Sequence, residues 1–396
     1  MGPGSELAGI QMRAQQSDIR SMFPRLTQDR FISAAAGTPL GSFAASGIRR
    51  YMDFQELGSG NGRGEYFETM LSNVRGMFGD LIGATADEIA LVHGTKAGEQ
   101  IVIDGLDPLG SNRNIVTNDF HFSGSLHNLV GLRHAGVDVR IVRNRDWRIS
   151  FEDMVAAIDD NTCLVAVTLL SNINGRIEPM RELAEVAHAH GAYVYADVIQ
   201  AAGILPFNVR DLGIDFAAAN SYKWLYGVHG SGFLYVRQEL QGSVLPDSLF
   251  PGHVQFNYPP WVSRRDPQGG DFSYQPRQNA TRYEPGHVSY LGFCAAYEGI
   301  RFINRIGVQA ALDHSVALNR RLINGVNPDR FDCITPEVDR SPIVTLVARE
   351  RLSLEPHLHS ANVVVSLIGN GRIRVSPALY NTEEDIDVLT QALDEI

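Results

Sequence analysis

The chain has 396 residues, 44% hydrophobic and 20% charged, with a formal net charge of −11. Its apolar content excludes a disordered chain, and its acidic balance with scattered basic residues excludes a binder of phosphate backbones, so no nucleic-acid partner is expected. No run approaches the roughly 18 uninterrupted apolar residues of a membrane span, so no membrane partner is expected either. A chain this long outgrows a single hydrophobic core, so one large unit and one smaller unit with a cleft between them are expected. Cys163, Cys294 and Cys333 lie far apart, without CxxC spacing or the even count of a disulfide framework. Three reduced thiols, no metal and a cytoplasmic location follow as expectations. The opening "MGPGS" reads as a cloning remnant, with no basic-then-apolar export signal behind it.

From about residue 88 to residue 237, short apolar runs alternate with segments of helical period. This is the pattern of a mainly parallel sheet wrapped by helices. The predicted strands are "EIALV", "NIVTN", "VDVRIVR", "CLVAVTLL", "AYVYADV", "DFAAAN" and "GFLYVR". Between them "SFEDMVAAIDD" and "EPMRELAEVAHAHG" read as amphipathic helices, the second closed by Gly191 where a left-handed cap belongs. Residues 246–280 hold Phe250, Phe256, Tyr258, Trp261, Phe272 and Tyr274 without a sustained period, which predicts a long ordered loop. Such a loop either borders a substrate or covers apolar surface. Then "YLGFCAAYEGIRFINRIG" and "VQAALDHSVALNRRLINGV" have helical spacing. After them "PIVTLVA", "NVVVSLI" and "RIRVS" read as strands before a last helix, "TEEDIDVLTQALDEI". That makes a smaller α+β lobe.

Three features of this pattern bear on chemistry. In "EIALVHGTKAGEQIVIDGL" a strand runs through Gly94-Thr95 into a helix, whose first unpaired amides either face an anion or are simply capped. In "AYVYADVIQAAG" Asp197 ends a buried strand, where sheets of this class expose ligand-binding residues. A carboxylate there either caps the next turn or offsets its desolvation with a cation such as a protonated pyridine nitrogen. In "NSYKWLYGVHGSGFLYVR" Lys223 sits between two aromatics after another strand. An apolar setting weakens the charged form of a lysine and frees its amine for a Schiff base, although an isolated lysine is usually a solvated surface residue. The joint order of anion cradle, Asp and Lys, each after a strand, favours the chemical reading.

With that order, the chain resembles the class V aminotransferase family of enzymes that use pyridoxal 5′-phosphate (PLP), which includes cysteine desulfurases, isopenicillin N epimerase-like proteins and kynureninase. The resemblance runs from "FPRL" to "RVSPALYNTEEDID". It implies the fold-type I α/β architecture. Residues 1–25 would form an arm packing with the small domain, 26–290 the large PLP-binding domain, and 291–396 the small C-terminal domain. It implies that Thr95, Lys96 and Ala97 cradle the phosphate, His121 stacks on the pyridine ring, and Asn172 approaches the ring hydroxyl. Asp197 would pair with the ring nitrogen, Gln200 would contact the hydroxyl side, and Asn220 and Tyr222 would line the cofactor. Lys223 would be the Schiff-base lysine and Arg374 would grip the substrate carboxylate. Lys223, His121 and Asp197 would be the catalytic set, in a homodimer.

Three departures from the family pattern matter. Tyr222 stands where desulfurases and epimerases usually carry His, as in kynureninase-like members, and its hydroxyl would still reach the phosphate. In "YEPGHVS", His287 replaces the Thr that reaches the phosphate of the neighbouring subunit. The stretch "ERLSLEPHLHSANVVVSLIGNGRIRVS" lacks the loop Cys of the desulfurases, which removes a persulfide relay there. The reading is therefore a C–S lyase acting by β-elimination on a cysteine S-conjugate. Epimerization, transamination and decarboxylation-dependent deamination of an amino acid are the alternatives, and a non-catalytic PLP-binding protein is a remote one.

Overall fold

The computed structural model describes residues 18–58, 62–247, 255–256, 273–350, 353–369 and 371–395. Residues 1–17 of the expected arm, and Phe250, Tyr258, Trp261 and Phe272 of the expected loop, lie outside them.

Near the N-terminus the chain forms the short strand β1 (Arg30–Phe31) and two helices, α1 (Ser42–Glu56) and α2 (Arg63–Ile82). The central unit then alternates strand and helix: β2 (Ile89–Val92), α3 (Thr95–Leu106), β3 (Asn114–Asn118), α4 (Ser123–His134), β4 (Val139–Val142), α5 (Phe151–Ala157), β5 (Thr162–Thr168), α6 (Met180–Ala189), β6 (Tyr193–Asp197), β7 (Phe216–Asn220) and β8 (Gly232–Val236). Each predicted strand of this region is present, with ends that differ by at most two residues. Every residue of β5 is buried, as parallel strands covered on both faces must be. In α6 the buried residues Met180, Leu183, Ala184 and Ala187 recur at helical spacing. The chain leaves that helix through Gly191 at φ 69°, a left-handed conformation that glycine takes without a Cβ clash.

The seven strands lie in the order β2-β8-β7-β6-β5-β3-β4. Only β8 runs against its neighbours, so β2, β3, β5, β6 and β7 all end at one edge of a mainly parallel sheet. The loop after β2 passes tightly across that edge. A Cβ on Gly232 would lie 2.5 Å from the Cα of Gly94, so neither glycine tolerates a side chain without a shift.

Beyond the two-residue ladder β9 (Gln255–Phe256) with β10 (Tyr274–Gln275) come α7 (Tyr290–Ile306) and α8 (Val308–Gly325). The C-terminal part adds β11 (Phe331–Cys333), β12 (Val344–Ala348), α9 (Leu354–Ser360), β13 (Val363–Val364), β14 (Ser366–Ile368), β15 (Arg372–Val375) and α10 (Glu383–Asp394). Its sheet has the order β11-β12-β15-β14. The predicted strand "NVVVSLI" is split: β13 leaves this sheet to pair in parallel with β1, and only β14 stays beside β15. The same join is extended by a bridge between Ser33 and Ser376, by the Ala35 N–H donating to Ser376 Oγ, and by Arg20 paired with Asp385 at 2.8 Å. Among the described residues no helix is long and apolar enough to cross a membrane.

Candidate active site

The common strand edge collects most of the residues singled out in the sequence. Thr95 opens α3 directly after β2, and Asn220 ends β7 close by, since a Cβ on Gly94 would lie 2.7 Å from Asn220 Nδ2. The Thr95 hydroxyl and the Asn220 side-chain Oδ1 are both buried without a partner among the described residues. Buried polar atoms are normally satisfied, so an orphaned hydroxyl donor beside a helix N-terminus fits a missing phosphate-bearing ligand.

Asp197 ends β6 and is 1% exposed. Its Oδ1 accepts the Ile199 N–H at 3.0 Å. Burial pushes its carboxyl up to about 6, against the pull of His121, the Ile199 N–H and Lys223, while Glu99 pushes the same way as burial. Among the described residues this carboxylate forms no ion pair, and a protonated ring nitrogen would supply one. Lys223 follows β7 and is 6% exposed. Burial lowers its amine to about 8, Arg374 lowers it further, and Asp197 opposes both. Its Nζ lies 5.5 Å from the centroid of the Tyr222 ring, and the Thr38 hydroxyl donates to the Lys223 carbonyl at 3.0 Å. The donor set of a buried carboxylate, a weakened lysine amine and an orphaned hydroxyl at a helix start fits PLP.

His121 lies on the turn between β3 and α4 and is fully buried. Its Nδ1 is 2.8 Å from Thr168 Oγ1 and its Nε2 is 2.8 Å from Glu99 Oε1. Gln200 accepts the Trp224 indole N–H at 2.9 Å and donates to the Ala35 carbonyl at 2.9 Å, which leaves one amide N–H for a ligand. Tyr222 is stacked on His229 with centroids 3.9 Å apart, and burial raises its hydroxyl above the ordinary tyrosine value.

Arg374 comes from β15 in the C-terminal part. It donates to the Asn172 carbonyl at 2.8 Å and to Ser366 Oγ at 2.9 Å, while its buried Nε has no partner among the described residues. Burial brings the guanidinium down to about 10, with Tyr222 acting the other way. Such an arginine is held ready for an anion. Asn172 itself is half-buried and reaches the site through its backbone. Ala97 is half-buried beside Thr95. Two residues face outward: Lys96 is exposed and donates to Asn128 at 3.2 Å, and His287 is exposed on the turn before α7.

Sequence reasoning passed over Glu99, Ser125, Thr168 and Ser366. One signal was present for Glu99, which shares the buried face of α3 with Thr95, Gly98, Val102 and Ile103. A charge on the inward stripe of an amphipathic helix needs a partner.

The family description Aminotransferase class-V matches residues 48–389. A probable cysteine desulfurase of Methanothermobacter thermautotrophicus is 28% identical, over 96% of this chain and 97% of that protein. An uncharacterized aminotransferase of Bacillus subtilis, YcbU, is 26% identical, over 95% of this chain and 96% of that protein. The cysteine desulfurase of Thermococcus onnurineus shares the fold with a TM-score of 0.81 at 21% identity, over 96% and 97% of the two chains. The cystine C–S lyase C-DES does so with a TM-score of 0.79 at 19% identity, over 94% and 99%. With a match that spans most of its length, this chain belongs to the class V aminotransferase family of PLP-dependent enzymes.

Proposed function

We propose that the protein is a C–S lyase that cleaves a cysteine S-conjugate by β-elimination and releases the thiol directly. The observation that carries this reading is the placement of the cysteines. The segment that leads into β15 contains none. Cys163 and Cys294 are buried, and Cys333 lies on β11, separated from the Arg374 strand by β12. No thiol is thus offered beside Arg374 to receive sulfur. The shared fold with a cystine C–S lyase is consistent with this chemistry.

In this reading Lys223 holds the cofactor through Nζ, and the Thr95 hydroxyl with the first backbone amides of α3, those of Lys96 and Ala97, holds its phosphate. Asn220 and Tyr222 complete the lining, and Asn172 and Gln200 lie on the hydroxyl side of the ring. When bound, PLP supplies an electron sink for the bonds at the substrate Cα. Asp197 keeps a proton on the ring nitrogen, and Arg374 fixes the substrate carboxylate by a two-point contact. Lys223, freed by the substrate amine, takes the Cα proton. The C–S bond then breaks with its electron pair leaving on sulfur, and the remainder takes up water to give pyruvate and ammonia. The enzyme works as a cytoplasmic homodimer, with His287 donating to the phosphate held by the partner subunit.

The test supplies an S-substituted cysteine to the PLP-loaded protein and follows thiol and pyruvate together. Equal release of both is expected, and it should persist when Cys163, Cys294 and Cys333 are all replaced by Ser. Racemized substrate, or a keto acid with its C–S bond intact, rejects the lyase in favour of an epimerase, aminotransferase or deaminase. A cofactor spectrum that responds to no amino acid rejects turnover altogether.

A further inference from the structure

We propose that Glu99 is a positioning residue that, with Thr168, commits both ring nitrogens of His121, so that the imidazole is a fixed platform and Lys223 alone exchanges protons with the substrate. The inference rests on the assignment of the PLP site given above.

Glu99 lies one turn beyond Thr95 on α3, so the helix that begins at the phosphate cradle also reaches the ring-stacking histidine. It is 1% exposed. Its Oε1 is 2.8 Å from His121 Nε2, and its Oε2 accepts the Ser125 hydroxyl. An ionised carboxylate only accepts, so Nε2 carries a hydrogen. The second nitrogen, Nδ1, is 2.8 Å from Thr168 Oγ1. Thr168 is in turn the register partner of Asp197 across β5 and β6, which sets the clamp beside the carboxylate that faces the ring nitrogen.

Every member is out of water: His121 is 0% exposed, Ser125 1% and Thr168 5%. In so dry a setting a ring nitrogen reaches the substrate only by abandoning a buried hydrogen bond and leaving its partner unsatisfied. A proton added to Nδ1 would turn Thr168 from donor to acceptor and leave both nitrogens engaged. Lys223 differs, since its Nζ makes no hydrogen bond among the described residues and lies within the field of both Asp197 and Arg374. The clamp holds a ring plane where the lysine holds a mobile proton site.

The experiment begins with nitrogen-15 labelled histidine in the cofactor-free protein, His121 being assigned by its loss in His121→Gln. The expected spectrum shows a protonated, slowly exchanging Nε2. Glu99→Gln keeps an acceptor oxygen and should preserve that signature, whereas Glu99→Leu should lose it. If Glu99→Leu does not fold, Thr168→Val reads the other nitrogen in the same way. Ring nitrogens that exchange freely in the wild-type protein overturn the proposal, whatever the loaded enzyme does. In the loaded protein, His121→Phe should lower kcat by less than about a hundredfold and keep both limbs of the pH profile. Loss of a limb, or a drop within the roughly 10² to 10⁴-fold range of a missing acid or base, overturns it too. A wild-type protein that fails to bind PLP would sink the site assignment while leaving the ring-nitrogen result standing.

Discussion

The carboxyl edge of the seven-stranded sheet and the strand that carries Arg374 both keep charged side chains out of water, by opposite means. At the sheet edge, Glu99, His121, Ser125 and Thr168 satisfy one another within a single unit. Arg374 borrows its partners: one is the Asn172 carbonyl on the turn after β5, another is Ser366 on the neighbouring strand, and its Nε has none among the described residues. The first arrangement is complete before any ligand arrives. In the proposed function the second would be completed by the substrate carboxylate, and its partners come from both the central unit and the C-terminal part. The proposed function would thus pair a fixed reaction centre with a substrate grip whose setting depends on a second part of the molecule.

The comparison breaks most sharply at Lys223. Lys223→Ala should lower turnover by about 10⁴-fold or more and remove the visible cofactor band that borohydride bleaches in the wild-type protein. A variant retaining roughly a hundredth of wild-type activity would place the reactive amine elsewhere.

The next effect concerns pH and the cofactor-free protein. Lys223 titrates near 8 when folded against a reference of 10.5, so between those values the unfolded chain binds the additional proton and stability rises with pH. Asp197 titrates near 6 against 3.8, so there the folded chain binds the additional proton and stability falls as pH climbs through that window. Each contribution is on the order of 3 kcal/mol, and together they leave a trough between about pH 6 and 8. Urea titrations of wild type, Lys223→Met and Asp197→Asn check it, since each variant should flatten one wall. Parallel curves for all three would mean that the two charges are not desolvated as a pair.

Arg374→Ala tests the second arrangement. It should lower kcat/KM by about a hundredfold, the size of a lost charge-assisted pair, and leave the visible cofactor band unchanged. Arg374→Lys should fall between, because a lysine cannot make the two-point contact. Loss of bound PLP in either variant would show that the arginine belongs to the cofactor site instead.

The smallest effect lies in the C-terminal part alone. Thr382 caps α10, its hydroxyl accepting the Asp385 N–H at 3.3 Å while the Asp385 side chain returns a bond to the Thr382 N–H. Thr382→Ala should cost about 1 kcal/mol in thermal or urea unfolding without changing turnover. A large fall in activity there would couple the cap to the reaction centre and blur the distinction between the two regions.

Much of the fold could be read in advance because buried parallel strands and amphipathic helices write their period into the chain. The helices α1 and α2 escaped for a physical reason. The buried residues of α1 are Ala44 and Gly47, and a Cβ on Gly47 would lie 2.5 Å from the Cys294 carbonyl oxygen, so this contact requires residues with little apolar signal. In α2, Gly64, Gly76 and Gly79 interrupt the pattern made by Phe67, Met70, Val74, Phe78 and Ile82. Within the site, Asp197 and Lys223 stood out because each follows a strand in a fixed order. The partners of His121 did not, because strand register brings Thr168 beside Asp197, and no local spacing encodes that pairing. The split of β13 from β14 was hidden likewise, since an unbroken apolar run does not say that it serves two sheets.

That split has a bearing on how the chain is made. Ala35 donates to a serine 341 residues farther along, beside the pairing of β1 with β13. At ribosomal speeds of about 5 to 20 residues per second, the segment around residues 30–35 waits roughly 20 to 70 seconds for those partners to be synthesised. The central sheet can assemble during that interval, while the early segment still lacks its strand partner. Closure of the N-terminal segment onto the C-terminal part can then begin only after the central sheet has been synthesised.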